Sequence, residues 1–295
     1  MLCSAIIPTV NRPILARTVN SVLQQQRVDG AFEIIVVNDS GTPLGKTDWQ
    51  RSSLVTVVNT NRCERSAARN VGAALAKGRF LHFLDDDDYM LPGAYEALLG
   101  VAQSSACCWV YGGYRTVDDQ GVLVSEIRPA VGGNLFACFV AGEAIPLGAS
   151  WLRRDVFYRA GWFDPNVTVT EDRDLGRRIA LLGDVRGTQE IVACFRVVHR
   201  TTTTGWSEAN ASDRLGRERA LDLYGALARM QDSVRGNTSM RGRGCRAYVA
   251  SAVVNLRAGN YLKVVSRLLL CVRLARLYAF TPEFWRGMRT RVRSH

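Results

Sequence analysis

Short apolar runs alternate with helical patterns through residues 1–115. The runs are mostly apolar and do not alternate with polar residues, which is typical of strands that are buried on both faces of a parallel sheet. Between them, apolar residues recur every three or four positions, as on one face of a helix. The pattern predicts strands at Ser4–Pro8, Glu33–Val37, Leu54–Val58 and Phe80–Leu84, and helices at Ile14–Gln26 and Ser66–Ala76.

This order of elements predicts an α/β fold with a doubly wound, mainly parallel sheet. Residues 116–205 mix strands, glycines and a strong helix after Asp172, and we interpret them as the second half of the same domain. Residues 206–295 are expected to form a basic helical C-terminal extension. Within it, Val253–Leu277 interleaves arginines with Leu and Val, a basic amphipathic helical pattern, and Arg241–Gly244 is expected to be a linker.

The composition is that of a globular protein, with 47% hydrophobic and 22% charged residues. Gly (26) and Pro (8) are ordinary in number and follow no period, which excludes collagen-like and wholly disordered chains. The net charge of +11 is concentrated in residues 235–295, which hold thirteen Lys/Arg and a single acid, Glu283. Such a region favours an anionic partner, whether lipid head groups, nucleic acid or an acidic protein.

The cysteines and the apolar stretches bear on the compartment. The eight cysteines form no CxxC pair, which favours reduced, mostly buried thiols in a cytosolic protein. No basic segment precedes the first strand, so we expect no signal peptide. The longest uncharged stretch, Ala97–Tyr114, is interrupted by glycines and polar residues, so we expect no membrane span. The expected localisation is cytoplasmic.

Four consecutive aspartates, Asp85–Asp88, directly follow the strand Phe80–Leu84. Two carboxylates ~4 Å apart repel each other by about 4 kcal/mol at a surface-like dielectric, so the cluster favours a compensating cation. A solvated acidic turn is the simpler alternative. However, doubly wound sheets bind ligands at the carboxyl ends of their strands. Clustered carboxylates favour Mg²⁺ or Mn²⁺ shared with phosphates, and the position therefore predicts a metal–phosphate site.

Five stretches of the chain occur together in a recognisable order. They are Ser4–Pro13, Glu33–Ser40, Ser66–Gly72, Phe83–Asp88 with Pro92, and a run from Trp151 to Arg178 that contains Gly161–Asp164 and Glu171–Asp172. In these stretches the chain resembles a family 2 glycosyltransferase of the GT-A fold. The resemblance covers about residues 3–200. It implies a metal-dependent, inverting transfer of a sugar from a nucleotide-diphosphate donor, with a UDP-sugar favoured, to an acceptor hydroxyl in polysaccharide or glycolipid biosynthesis.

The resemblance also implies roles for individual residues, with residues 1–115 binding the nucleotide-sugar and residues 116–205 the acceptor. Asp39 would accept a hydrogen bond from the base, Asp85 would face the ribose, and Asp87 would bind Mn²⁺ or Mg²⁺. Asn38 stands where the family pattern has another Asp. The nucleotide-sugar contacts that it implies are Pro8, Val10, Arg12, Asp39, Arg69, Asp85, Asp86, Gly148 and Glu171.

The second half carries the implied catalytic base. Asp172 resembles the carboxylate that takes the proton of the acceptor hydroxyl, with Glu171 orienting the loop or the acceptor. The alternative is ordinary helix-start chemistry, because acids are favoured at a helix N-terminus. His199 would add a metal or diphosphate contact, and the alternative is a purely structural role. Gly148 would let the backbone approach the donor sugar, and the alternative is a simple turn. His82 is expected to be packed in the core.

The basic C-terminal region allows several interpretations. One is a small helical subdomain with a solvated basic face. Another is docking on an anionic membrane surface, with Phe284 and Trp285 as shallow anchors, which would suit a lipid-linked saccharide acceptor at the inner face of a membrane. Nucleic acid is not expected, because no familiar nucleic-acid-binding motif is present. The sequence does not indicate an oligomeric state.

Two other functions stay open at this point. A nucleotidyltransferase would use the same metal-bound nucleotide site, although Pro8–Arg12 is not the Gly-rich phosphate loop expected there. A non-catalytic adaptor would act through the basic region and would not need Asp87 or Asp172.

Overall fold

The chain forms two compact units in a computed structural model that describes residues 1–25, 32–104, 107–128, 132–197 and 203–289. The first unit is built from Met1–Gly132, Ile145–Glu171 and Asp184–Thr201. The second is built from Gly133–Ala144, Asp172–Gly183 and Thr202–His295, and so includes two stretches that precede residue 206.

The described ranges contain nine strands and eleven α-helices. The strands are β1 Cys3–Thr9, β2 Phe32–Asn38, β3 Val55–Asn59, β4 Phe80–Phe83, β5 Tyr89–Met90, β6 Trp109–Val117, β7 Leu123–Ile127, β8 Ser150–Arg153 and β9 Val185–Arg196. The helices are α1 Leu15–Leu23, α2 Arg65–Leu75, α3 Ala94–Ser104, α4 Phe136–Val140, α5 Arg154–Arg159, α6 Glu171–Leu182, α7 Thr203–Asp222, α8 Ala226–Ser233, α9 Thr238–Arg257, α10 Tyr261–Ala275 and α11 Pro282–Arg289.

A single sheet forms the centre of the first unit. Its strands follow the order β3-β2-β1-β4-β8-β6-β9-β5, and β7 pairs with β6 outside this path. Strands β3, β2, β1 and β4 are parallel neighbours, as the apolar runs predicted. In the other half, β8 and β5 pair antiparallel with their neighbours, whereas β6 and β9 are parallel. The predicted α/β class is confirmed.

Helix α2 lies close against the parallel half of the sheet. A Cβ at Gly72 would collide with Ile6 of β1 and approach Val37 of β2 to 3.1 Å. The small-residue pattern of this helix therefore has a packing reason, because only glycine allows the helix backbone to come this near to the strands.

The parallel register brings three strand ends to one edge of the sheet. Thr9 at the end of β1 lies beside Asn38 at the end of β2, and Ile6 lies beside Phe83 at the end of β4. The amide of Asp39 donates to the carbonyl of Thr9 over 2.8 Å, which continues the pairing past the strands. The segments after β1, β2 and β4, which carry the predicted nucleotide contacts, therefore start side by side.

The linker predicted at Arg241–Gly244 is wrong, because this stretch lies inside α9. A Cβ at Gly242 would collide with the carbonyl of Phe284 in α11, and one at Gly287 of α11 would collide with the carbonyl of Ser239. The glycines thus allow two helices to cross at close range, and do not mark a flexible connection. A sequence pattern cannot separate these two uses of glycine.

The helical pattern over Val253–Leu277 is also divided in the structure. Helix α9 ends at Arg257 and α10 starts at Tyr261, with Gly259 between them at a φ of +74°. A positive φ of this size is readily adopted by glycine and ends the first helix. The two helices then pack against each other.

We expect the variant Gly242→Ala to lose stability, because the new methyl group must displace the backbone of α11. Overpacking of this kind costs about 1–3 kcal/mol in the free energy of unfolding, measurable by urea denaturation. The matched control is Gly100→Ala in α3, where a Cβ meets no atom within 4 Å. That substitution should stabilise the protein by about 0.5–1 kcal/mol through helix propensity. Equal effects of the two substitutions would contradict the close crossing.

Part of the basic charge of the second unit is used inside it. Arg243 donates to Glu143 over 2.6 Å, and Arg246 lies 3.3 Å from the same carboxylate. Arg267 is buried and pairs with Asp222. The predicted solvated basic face is therefore made by fewer residues than the sequence suggested.

Two further predictions for this region can be compared with the structure. Phe284 is 3% exposed and packs inside the second unit, so its predicted role as a shallow membrane anchor is wrong, whereas Trp285 is 46% exposed. Among the helices of the described ranges, none is both long enough and apolar enough to cross a bilayer.

Candidate active site

A cavity of about 580 Å³ opens at the edge of the sheet where β1, β2 and β4 end. Its wall is formed by the segments that follow these strands and by the start of α2. Of the predicted contacts, it brings together Pro8, Val10, Arg12, Asp39, Asp85, Asp86 and Asp87. The sequence had placed these residues in one pocket on the strength of the family resemblance.

The four aspartates after β4 point to different partners. Asp85 pairs with Arg69 over 2.6 Å, and Asp87 pairs with Arg12 over 2.9 Å. Asp86 is 3% exposed and accepts hydrogen bonds from Thr9 and Arg12. Of the four aspartates, Asp85, Asp86 and Asp87 line the cavity and Asp88 does not.

The side chain of Asp88 contacts the sheet and does not line the cavity. Its Oδ1 accepts a hydrogen bond from the backbone amide of Arg196 at the end of β9 over 3.0 Å. The hydroxyl of Thr18 in α1 donates to the carbonyls of Asp86 and Asp88, over 3.1 and 2.7 Å, and so fixes the turn that carries the aspartates. Contacts with β9 and α1 thus hold Asp88 and the backbone of the turn, while Arg69 and Arg12 hold the side chains of Asp85 and Asp87.

The charges around the turn shift the pKa values of Asp85 and Asp87 in opposite directions. Burial acts to raise the pKa of Asp85, but the positive charges of Arg69, Arg65 and Arg12 outweigh it and lower this pKa. Burial raises the pKa of Asp87, and repulsion from Asp85 and Asp86 adds to the rise against the opposing effect of Arg12. Of these two cavity carboxylates, Asp87 is therefore the one whose charge a further cation would relieve, whereas the pKa of Asp88, which is raised further, belongs to a side chain outside the cavity wall.

Asp39 is held by the loop that precedes α2. Its Oδ1 accepts hydrogen bonds from the hydroxyl of Thr60 over 2.7 Å and from the amide of Cys63 over 2.8 Å. Burial acts to raise the pKa of Asp39, but these hydrogen bonds outweigh it and lower this pKa. Asn38, which replaces an Asp of the family pattern, donates to Asn59 and to the carbonyl of Thr42, and so shapes the turn.

Three non-glycine residues with positive φ lie around the cavity. Asn11 has a φ of 67°, Arg62 one of 50° and Glu64 one of 79°. Side chains adopt this region rarely, and such conformations persist where surrounding contacts enforce them, often at binding sites. Arg62 and Glu64 are themselves part of the cavity wall, and Asn11 lies between Val10 and Arg12.

A buried ion pair connects this turn to Glu171, the last residue of the segment Ile145–Glu171 of the first unit. Arg69 of α2 and Glu171 of α6 each have a side chain that is 4% exposed, and they lie 2.9 Å apart. Arg69 also reaches Asp85, and Arg65 lies 3.2 Å from the same Glu171 oxygen. The buried Nε of Arg69 and Oε2 of Glu171 have no hydrogen-bond partner in the described part of the chain. Arg69 thus fixes Asp85 and Glu171 together.

The predicted base and the two predicted accessory residues have different surroundings. Asp172 follows Glu171 along α6, and its Oδ1 accepts from the amide of Arg173 over 2.8 Å, as at a helix start. Gly148 is buried, and a Cβ there would lie 2.9 Å from Phe195. His199 lies outside the described residues. The roles assigned to Asp172, Gly148 and His199 stay predictions.

His82 is a core residue, as expected from its place within β4. It is fully buried, and its ring nitrogens lie 2.9 Å from the hydroxyl of Tyr95 and 3.0 Å from the carbonyl of Gly148. Burial lowers the pKa of His82 to about 4, so its ring is neutral at physiological pH.

Sequence reasoning missed several residues of the cavity. Thr9 holds Asp86, and Arg65 contacts Glu171, while Arg62 and Glu64 line the wall. The sequence gave a signal for Thr9, since this polar residue directly follows the apolar run Ala5–Pro8. Arg62 and Glu64 gave none, because their position depends on the conformation of the loop before α2.

The comparisons with known proteins agree on the kind of protein. The family model described as Glycosyl transferase family 2 matches residues 4–158, just over half of the chain. An uncharacterized glycosyltransferase of Haemophilus influenzae is 34% identical over 105 residues, which are 35% of this chain and 35% of that protein. One of Nostoc is 28% identical over 243 residues, 74% of this chain and 73% of that protein.

A relative with a named activity and a solved structure add to this. WfaP of Escherichia coli, named a UDP-Glc:alpha-D-GlcNAc-diphosphoundecaprenol beta-1,3-glucosyltransferase, is 28% identical over 166 residues, 53% of this chain and 64% of that protein. S. aureus TarS 1–349 in complex with UDP-GlcNAc has a TM-score of 0.62 at 15% identity, covering 92% of this chain and 91% of that chain. At this identity the likeness shows the fold.

The alignments leave much of some relatives uncovered. Those with the H. influenzae protein and with EpsJ of Bacillus subtilis span about a third of each relative's length. The family match itself covers the strands and turns that build the cavity, from β1 to α5. This protein therefore belongs to glycosyl transferase family 2.

Proposed function

We propose that this protein transfers a sugar, with inversion, from a nucleotide-diphosphate donor to a hydroxyl group of a lipid-linked saccharide, and that the donor is a UDP-sugar. The observation that carries the proposal is the cavity that joins Asp39, Arg12, Asp85 and Asp87 at the carboxyl ends of parallel strands. Its volume of about 580 Å³ lies in the range that buries small ligands. The named activity of WfaP and the UDP-GlcNAc complex of TarS support the choice of donor and acceptor class.

The charge of the cavity wall is the reason to include a divalent cation. The wall carries five acids, Asp39, Glu64, Asp85, Asp86 and Asp87, against three arginines, Arg12, Arg62 and Arg65. A diphosphate would add further negative charge, which such a wall would repel. The described residues contain no cluster of three or more His, Cys, Asp or Glu arranged to hold a metal by themselves. A cation at Asp87 would therefore take its remaining ligands from the oxygens of the diphosphate.

We assign Mn²⁺ or Mg²⁺ to this place, with Asp87 as its protein ligand and His199 as a candidate second ligand. When bound, the cation neutralises negative charge that develops on the departing diphosphate. The rise in the pKa of Asp87 fits this assignment, because a carboxylate whose charge is destabilised by burial and by neighbouring carboxylates is stabilised by an added positive charge.

The residues of the chain would supply binding and proton transfer. Asp39 would accept a hydrogen bond from the base, and Asp85, fixed by Arg69, would face the ribose. The acceptor oxygen would form a bond to the anomeric carbon while the bond from that carbon to the diphosphate oxygen breaks. The electron pair of that bond would leave with the diphosphate, and Asp172 would take the proton of the acceptor hydroxyl.

The direct test is a panel of nucleoside diphosphates titrated calorimetrically with and without Mn²⁺, followed by transfer assays with the matching sugar donors and a diphosphoundecaprenol-linked saccharide. We expect UDP to bind most tightly and only in the presence of the cation. Tight binding of another nucleoside diphosphate would change the donor, and transfer at full rate in the presence of a chelator would contradict the metal.

We expect Asp87→Ala to abolish metal-dependent donor hydrolysis and transfer, because the cation loses its protein carboxylate. Removing an outer-shell partner of a metal ligand already lowers metal affinity or activity about 10–100-fold, so removing the ligand itself should cost at least as much. The control is Asp48→Ala, whose side chain is 95% exposed outside the cavity wall and which should behave as wild type. A wild-type rate for Asp87→Ala would reject its role.

A further inference from the structure

Helix α10 of the second unit exposes a continuous row of apolar side chains. Six of its residues share one face, since they recur at spacings of three and four positions, and all are exposed by 44% to 91%. We call them the α10 stripe: Tyr261, Leu262, Val265, Leu268, Leu269 and Val272. A contiguous exposed apolar surface of this kind marks an interaction site more often than a scatter of single residues does.

The opposite face of α10 is the one that holds the helix in the fold. Leu274 is buried, and the buried Arg267 donates to the hydroxyl of Ser251 in α9 over 3.1 Å. Arg267 also pairs with Asp222 at the end of α7. These contacts fix the rotation of α10 and direct the α10 stripe to the outside. The exposure of the stripe is therefore built into the packing of the unit.

Exposed apolar residues also follow the end of the helix along the chain. Leu277 is 80% exposed and Phe280 is 85% exposed, in the short helical segment Arg276–Phe280. Trp285 of α11 is half-exposed, with its indole nitrogen donating to the carbonyl of Ala279 over 2.8 Å. Aromatic side chains with one polar end are well suited to the boundary between water and lipid.

The charge beside the α10 stripe decides between its possible occupants. Between Tyr261 and Arg289 the sequence holds six Lys/Arg and one acid, Glu283, and α10 itself holds no acid. Arg273 lies one turn after Leu269, at the edge of the stripe, and Arg276 follows; both are exposed. A second copy docked stripe to stripe would bring these arginines against their own counterparts, whereas an anionic lipid surface would meet them with opposite charge.

We propose that the α10 stripe lies in the head-group region of an anionic bilayer, with Arg273 and Arg276 on the lipid phosphates. An interfacial helix of this type combines an apolar face with flanking Lys and Arg, and it binds without crossing the membrane. The proposal rests on the second unit alone and does not depend on the proposed sugar transfer. It would, in addition, hold the protein at the surface where a lipid-linked acceptor is found.

The test is co-sedimentation of the full chain with vesicles made from equal parts of phosphatidylglycerol and phosphatidylcholine, compared with vesicles of phosphatidylcholine alone. We expect binding to the anionic vesicles only, and weaker binding at high salt. The variant Leu262→Gln/Leu269→Gln should bind at least ~10-fold more weakly, because two apolar side chains no longer enter the lipid. Equal binding of both vesicle types, or no binding, would overturn the proposal.

Matched variants separate the stripe from general effects. Leu123→Gln changes an equally apolar residue that is 56% exposed on β7 of the first unit, and it should bind as wild type. Arg273→Glu/Arg276→Glu should lose anionic binding, whereas Arg51→Glu, at a side chain that is 86% exposed in the first unit, should not.

The oligomeric state shows whether a second copy of the chain, and not a lipid surface, covers the α10 stripe. If the wild type sediments as a dimer that Leu262→Gln/Leu269→Gln converts to a monomer, the stripe is an interface between copies and the proposal is wrong. Circular dichroism and thermal unfolding should be unchanged in all of these variants, because every altered side chain is exposed. If Leu262→Gln/Leu269→Gln unfolds, the vesicle binding of Arg273→Glu/Arg276→Glu alone decides whether the proposal holds. Deleting residues after 235 would not be a clean test, since α9 packs against α4.

Discussion

The variant Asp172→Asn is expected to bind the donor normally and to transfer sugar at least ~100-fold more slowly, because general base catalysis contributes roughly 10²–10⁴-fold. Asparagine has nearly the same shape as aspartate but cannot take a proton from the acceptor hydroxyl. The measurement is a split between donor affinity, from calorimetry, and the rate of a single turnover with saturating acceptor.

The control for Asp172→Asn must remove an acid from a helix start without touching the reaction. Glu96→Gln does so, since Glu96 is an exposed acid in the first turn of α3. Loss of a favourable helix-dipole interaction costs about 0.3–1 kcal/mol in the free energy of unfolding, and both variants should show it. A collapse of donor affinity in Asp172→Asn, or an unchanged rate, would show that the residue is structural.

The second large effect is expected for Arg69→Met. This substitution leaves Glu171, which is 4% exposed, without its buried partner, and it releases Asp85 on the cavity wall. Breaking a buried ion pair by removing one partner costs about 3–5 kcal/mol in the free energy of unfolding. We therefore expect a lower urea midpoint together with weaker donor binding.

The matched control is Arg65→Met. Arg65 contacts the same oxygen of Glu171, but its side chain is 57% exposed, and Glu171 keeps its buried partner Arg69 when Arg65 is removed. We therefore expect a loss close to the about 0–1 kcal/mol of solvent-screened pairs. The double variant Arg69→Met/Glu171→Gln should recover part of the lost stability, because no uncompensated charge is left buried. Equal destabilisation by Arg65→Met and Arg69→Met would contradict the role assigned to burial.

Family membership favours sugar transfer over the nucleotidyltransferase that the sequence left open, because the model of glycosyl transferase family 2 spans the cavity residues from Pro8 to Asp87. The adaptor alternative does not need Asp87 or Asp172, so it predicts that Asp87→Ala and Asp172→Asn keep full activity. The vesicle experiment tests the basic region separately from the chemistry of the cavity.

The parallel half of the fold could be predicted because its information is local. Short apolar runs that are bounded by turn residues and separated by helical patterns are typical of buried strands, and the predicted ends of β1, β2, β3 and β4 differ from the structure by at most one residue. The mixed half could not be predicted in the same way. The pairing of β8 between β4 and β6 joins segments far apart in sequence, and no periodicity encodes the direction of such a pairing.

The sequence by itself determined the α/β class, the strand ends that meet at one edge and the aspartates placed there, since these follow from short-range patterns. Tertiary structure alone decided that Asp88 turns to β9 while Asp87 faces the cavity, and that Arg69 meets Glu171 across 102 positions. It also decided that Gly242 serves a helix crossing and that Arg267 is buried while the α10 stripe is exposed. The reason is that charge and hydropathy of a residue specify what it can contact, whereas the packing of distant segments selects which contact it makes.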